Sequence, residues 1–269
     1  MARSPRKPKN TLRLACVADE SSPKAQEAAK ELAKTYDFVD KRYIRGQSDV
    51  VVVLGGDGFM LEVMHKYMNA RNLQFYGMNC GTVGFLMNRY VRENLQERIE
   101  QAIQVELHPL KMFAETVKGK QVELLAMNEV ALLRSSRQAA HIRVSVDHVV
   151  RIDEMVADGV LTSTPAGSSA YNFSAGGPIL PLNANVMALT PISPFRPRRW
   201  RGAILPQESS IFFEILDAEK RPVNAVADFT EVKDVASVLI HEDRRITQRV
   251  LFDPEHDLEE RMIKEQFMT

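Results

Sequence analysis

Residues 50–54 are four valines and a leucine, and they run without a polar break into Gly55-Gly56-Asp57-Gly58, after which a helical pattern begins. A short, continuous β-branched run reads as a strand covered on both faces, and such strands belong to parallel sheets flanked by helices. Glycines at the strand end let the backbone come close to a phosphate, and the helix N-terminus adds partial positive charge. In an open parallel sheet, ligands bind along the ridge at the carboxyl ends of the strands. One stretch therefore constrains both fold and site. It is not a Walker loop, because no Lys-Ser/Thr pair follows. Nor is it a Rossmann fingerprint, whose third glycine would fall on Leu61.

The flanking sequence alternates in the same way. Residues 12–17 read as a strand, and Ser22-Pro23 as an N-cap with proline at the first helical position. Ala25, Ala28, Ala29, Leu32 and Tyr36 then share one helix face, and Met60, Leu61, Met64, Tyr67 and Met68 another. Residues 73–79 form a third strand, and Leu95, Ile99, Ala102 and Ile103 line a further helix. This pattern predicts an N-terminal α/β domain with an open parallel sheet over residues 1–107. Beyond it, runs at 111–117, 121–127, 129–133, 141–146, 211–216 and 236–242 are separated by turn residues and little helix. They predict a β-rich, sandwich-like C-terminal domain over 108–250. Asp253-Pro254 reads as the start of a final helix, 255–267, within a segment (about 251–269) expected to pack back on the first domain.

Thirty-five basic residues balance thirty-five acidic ones, so charge points to neither a nucleic acid nor a membrane surface. The apolar runs are too short to span a bilayer, and the basic opening residues lack a signal-peptide core. Cys16 and Cys80 sit in apolar stretches and read as buried, reduced thiols of a cytoplasmic protein.

Asp57 is the informative member of the glycine turn. A carboxylate beside phosphates repels them unless it binds Mg²⁺ or takes a proton from an attacking hydroxyl. The competing reading is a turn aspartate that caps the helix. A second constellation lies at 157–182, where Thr162, Ser163, Thr164, Ser168, Ser169, Tyr171 and Ser174 are interspersed with glycines. It reads as a structured loop, neither strand nor helix, offering hydroxyls and amides to a polyhydroxylated, phosphorylated ligand. Pro165, Tyr171, Phe173, Pro178 and Ile179 argue against a flexible linker. Asn128 and Glu129, at a strand start, complete the set.

These motifs together resemble the NAD kinase family: Gly-Gly-Asp-Gly at 55–58, Gly-x-Val-Gly-Phe at 81–85, Asn-Glu at 128–129, and the long segment from Asp158 to Ile179, continued by 188–195. The glycine turn alone also occurs in phosphofructokinases and in diacylglycerol and sphingosine kinases; the long segment selects among them. The resemblance implies transfer of the γ-phosphate of ATP, with Mg²⁺ or another divalent cation, to the 2′-hydroxyl of the adenosine ribose of NAD. It implies Asp57 as the base, with Gly55, Gly56 and Gly58 lining phosphates and Phe85 beside the adenine. Asn128 and Glu129 would contact the adenosine and ribose, and Asp158 would lie near the nicotinamide. Ser169, Ala170, Tyr171 and Ser174 would line the adenine and ribose pockets. A homodimer or homotetramer is implied as well. The chain departs from the family pattern at Phe59, where Thr is common, at Ala157, where Gly is common, and at Val156, where many members carry a basic residue. The arginines of 194–201 are a candidate replacement for that basic residue. Two other readings remain open at this point: a lipid or sugar kinase sharing the glycine turn, and a non-catalytic NAD-binding sensor. The sensor would gain nothing from a carboxylate facing phosphates.

Overall fold

The computed structural model describes residues 12–70, 72–81 and 84–255. Among them the chain forms two units, one running to Val105 and including the strand Gln248–Phe252, the other running from Glu106 to Thr247. The expected final helix lies outside the described residues.

In the first unit, Val50–Gly55 is buried at every position, as its unbroken apolar run requires. It pairs in parallel with Leu14–Ala18 on one side and Gln74–Asn79 on the other. The sheet continues through Gln248–Phe252 to Ile103–Leu107, and the two-residue strand Asn88–Arg89 joins Gln74–Asn79 in parallel. The helix Pro23–Leu32 begins as its sequence predicts, with Ser22 Oγ accepting the Ala25 N–H at 3.3 Å. An N-cap of this kind contributes about 1 kcal/mol. The helix buries Ala25, Ala28 and Leu32 in a core shared with Val50, Val52, Leu54, Tyr76 and Met78. One expectation fails here. The helix Leu95–Gln101 stops before Ala102, and Ile103, read as part of its apolar face, opens the next strand and is 53% exposed.

The second unit is built from two six-stranded sheets with antiparallel pairing. One has the order Val149–Ala157, Ala140–Val146, Ile211–Ile215, Val235–Glu242, Leu110–Thr116, Gln121–Ala126. The other runs Ala203–Pro206, Val186–Ile192, Gly159–Ser163, Glu129–Arg134, Val223–Ala227, Thr230–Val232. Inner-face residues of both meet in one core: Met112, Ile142, Val144, Phe213 and Val238 from the first sheet, Val130, Leu132, Val160, Met187 and Ala225 from the second. That is a sandwich. Here too the sequence reading needs correction. Gly159–Ser163, expected to belong to a loop, is a fully buried strand flanked on both sides. Its Val160 and Thr162 suit a strand, and the glycine before them permits close packing, since a Cβ on Gly159 would lie 2.0 Å from Leu132 O. The loop proper follows, as the 3₁₀ turn Ala166–Ser169 and the short helix Tyr171–Ser174.

Candidate active site

The glycine turn occupies the carboxyl end of the central parallel strand. Gly56 is the N-cap of the helix Asp57–Lys66, so Asp57 takes the first helical position and does not cap it through its side chain. Its carboxylate is used elsewhere: Oδ2 accepts the Phe85 N–H at 2.6 Å and Oδ1 accepts the Leu86 N–H at 3.0 Å. The 84–86 backbone approaches so closely that a Cβ on Gly84 would sit 2.4 Å from Asp57 Oδ1. Neighbouring strand ends add polar groups along the same ridge. Asp19 Oδ1 accepts the Ser21 N–H and hydroxyl, and Asn79 Oδ1 accepts the Gly81 N–H. Gly55 abuts Phe59, whose Cδ1 would lie 3.0 Å from an added Cβ, so the aromatic at 59 covers the strand end. An added Cβ at Gly56 or Gly58 would meet nothing within 4 Å. The space in front of those two glycines is open.

The second unit brings Asn128, Glu129, Asp158, Ser169, Ala170, Tyr171 and Ser174 into one region. Three segments lock the backbone around Asn128. Thr164 donates its N–H to Asn128 O at 2.9 Å and its hydroxyl to Met127 O at 2.6 Å. A Cβ on Gly167 would lie only 2.2 Å from Asn128 O, so the loop presses directly on that carbonyl. Asp228, at φ 50°, accepts the N–H groups of Met127, Asn128 and Glu129 at 2.7, 2.9 and 3.2 Å.

With the backbone fixed, the two side chains are left with unmet acceptors. Asn128 Oδ1 and Glu129 Oε2 are buried and have no hydrogen-bond donor among the described residues. Burial, with a smaller contribution from Asp228, pushes the Glu129 carboxyl up to about 7. Tyr171 opens the short helix; its phenol is raised by burial and then by the charges of Glu129 and Asp158. Asp158 itself is paired: Arg134 Nε donates to its Oδ1 at 2.5 Å and Arg134 Nη1 to Ser136 O at 2.6 Å.

The hydroxyl-rich loop serves itself more than its composition suggests. Ser163 and Thr164 donate to backbone carbonyls, and Ser168 donates to Pro165 O while accepting the Leu180 N–H. Asn172 is buried and saturated, donating to Ser168 O and Pro178 O and accepting from the Thr190 hydroxyl. Ser169, Tyr171 and Ser174 remain for an outside partner. The Thr162 hydroxyl, buried in the strand, also has no partner among the described residues. Sequence reasoning misses Asp228 and Arg134. Asp228 looks like a hairpin-turn residue about a hundred positions from its partners, and Arg134 ends an apolar strand with no motif around it. The 194–201 loop is anchored through Phe195 and Arg196, whose N–H groups donate to Val156 O, with the Arg196 and Arg198 guanidinium groups 5.8 and 5.2 Å from the Phe195 ring centre.

Residues 127–236 match the family model described as the ATP-NAD kinase C-terminal domain. The chain is 54% identical to an NAD kinase of Rhizobium meliloti over 90% of its own length and 93% of that protein's. It is 51% identical to one of Zymomonas mobilis (91% and 94% covered) and 53% identical to one of Caulobacter vibrioides (91% and 92%). Among solved structures, a yeast NADH kinase complexed with NADH superposes with a TM-score of 0.81 at 20% identity, covering 96% of this chain and 88% of the other. An NAD kinase from Archaeoglobus fulgidus in complex with ATP gives 0.71 at 24% identity, covering 94% and 98%. At these identities the structural likeness speaks to the fold alone.

Proposed function

The chain belongs to the NAD kinase family, and on that premise we propose that it transfers the γ-phosphate of ATP to the 2′-hydroxyl of the adenosine ribose of NAD, giving NADP. The observation that carries the reading is the pair of buried acceptors Asn128 Oδ1 and Glu129 Oε2, which have no donor among the described residues. A buried acceptor without a donor costs about 1–3 kcal/mol, and ribose hydroxyls and an adenine amino group are the donors that satisfy it.

Phosphoryl transfer requires positioning and charge neutralisation more than covalent chemistry. Asn128, Glu129 and Tyr171, with Ser169, Ala170 and Ser174, hold the adenosine portion in this proposal, and Asp158 lies toward the nicotinamide. Asp57 is the base. The Phe85 and Leu86 N–H groups both donate to its carboxylate and orient it at the strand end. Gly55, Gly56 and Gly58 border the phosphates, with Phe85 beside the adenine. The open space in front of Gly56 and Gly58 supports that role. Mg²⁺ enters with ATP as part of the substrate. Such a metal is held largely by phosphates and one or two carboxylates. Free thiols at Cys16 and Cys80 agree with the cytoplasm, and family habit favours a homodimer or homotetramer.

The test is direct. The protein is incubated with NAD, ATP and Mg²⁺, and NADP is measured with a dehydrogenase that accepts only NADP. Product that depends on ATP supports the proposal. Bound NAD with no product would instead make the chain a sensor.

A further inference from the structure

Asp228 sits between Val223–Ala227 and Thr230–Val232, at a turn that a plain hairpin could make with many residues. What it does there is specific. One carboxylate collects three consecutive backbone N–H groups, from Met127, Asn128 and Glu129, and its own N–H returns to Glu129 O at 3.1 Å. Three successive amides aimed at one point form an anion-binding concavity, here filled by the protein's own carboxylate. The strand start is thereby held from one side by Asp228 and from the other by Thr164 and Gly167.

We propose that Asp228 is a positioning residue of the NAD site: it fixes the Met127-Asn128-Glu129 backbone so that Asn128 Oδ1 and Glu129 Oε2 are presented to the dinucleotide. The identity of the ligand rests on the NAD kinase reading; the clamp itself does not. A second consequence concerns pH. The charged group that acts on Glu129 is Asp228 from the hairpin, while Glu129 and the Arg134-paired Asp158 both act on the Tyr171 phenol. Burial first, and the Asp228 charge second, together raise the Glu129 carboxyl to about 7. Glu129 accepts donors when ionised, so NAD use falls as the pH drops through that region. Removing the Asp228 charge moves this acid limb to lower pH.

Asp228→Asn keeps the size, removes the charge and turns an amide NH₂ toward one of the three N–H donors. Kinetics of parent and variant are compared from pH ~5.5 to ~9. The KM for NAD rises about tenfold, the scale of one lost hydrogen bond to a charged group, while the KM for ATP stays within about twofold. The acid limb shifts downward. A variant in which both KM values rise together and the acid limb does not move overturns the proposal. If Asp228→Asn does not fold, hydrogen exchange in the parent decides. The Met127, Asn128 and Glu129 amides exchange at least ~100-fold slower than exposed loop amides and slower still with NAD; exchange at the loop rate overturns the proposal. A parent that binds NAD but makes no NADP sinks only the kinase reading. NAD affinities of parent and variant, measured by calorimetry, then test the clamp in place of KM.

Discussion

Two buried oxygens, Asn128 Oδ1 and Glu129 Oε2, have no donor among the described residues, and a stable fold carries such a cost where a ligand relieves it. Asn128→Ala and Tyr171→Ala therefore raise the KM for NAD about tenfold and leave that for ATP nearly unchanged; a rise confined to ATP reverses the pocket assignment. The same burial predicts a stability effect with a definite sign. The Glu129 carboxyl is raised in the folded state, from 4.5 to about 7, so the folded protein holds this proton more tightly than the unfolded chain. The group disfavours folding increasingly as pH rises from about 4.5 toward 7, and Glu129→Gln removes that part of the slope. Urea unfolding of the substrate-free protein across this range reads it; an unchanged slope in the variant contradicts the assignment. Asp158 is different. Its partner Arg134 already offsets its charge, so Asp158→Asn lowers kcat/KM for NAD and NADH by the same factor. A selective loss with NAD would show that the carboxylate faces the nicotinium charge unscreened.

The elements work by close approach, and glycine marks where. Gly167→Ala would drive a Cβ to 2.2 Å from Asn128 O, so the loop must retreat and NAD binding falls by at least about tenfold. Retained affinity would mean that the loop does not need that contact. The strand Gln248–Phe252 depends on side chains instead. Asn88 Nδ2 donates to Leu251 O, Asn88 Oδ1 accepts the Asp253 N–H, and the Tyr76 hydroxyl and Arg98 guanidinium both donate to the Asp253 carboxylate. Arg98 and Asp253 side chains are 18% and 16% exposed, so Arg98→Met, which leaves the carboxylate without its cation, costs about 3 kcal/mol. Urea unfolding measures it, and a loss below about 1 kcal/mol places the pair among weak surface bridges. These elements differ in how far the sequence discloses them. Val50–Gly55 and Pro23–Leu32 are legible because their burial is local and periodic. Gly159–Ser163 hides among hydroxyls and glycines, and Gln248–Phe252 gains its meaning only from a partner about 170 residues earlier. Val186–Ile192 hides in the same way, since it carries Pro191 inside a central strand.

At the scale of the whole molecule, the parallel sheet carries Asp57 and the second unit carries Asn128, Glu129 and Tyr171, so the sequence motifs divide between the two units. The site is legible where motifs are compact, at 55–58, 128–129 and 158–179. It is not legible at Asp228, whose role depends on three backbone amides that no pattern of side chains announces. The central claim is that Asp57 does chemistry on the ribose hydroxyl, beyond ordering the 85–86 turn. Asp57→Asn is nearly isosteric and separates these roles. Single-turnover transfer from labelled ATP to NAD, read beside the NAD dissociation constant, is the measurement. The rate falls by about 10²–10⁴-fold, the usual contribution of a general base, with NAD affinity within about threefold of the parent. A transfer rate near that of the parent would contradict the claim.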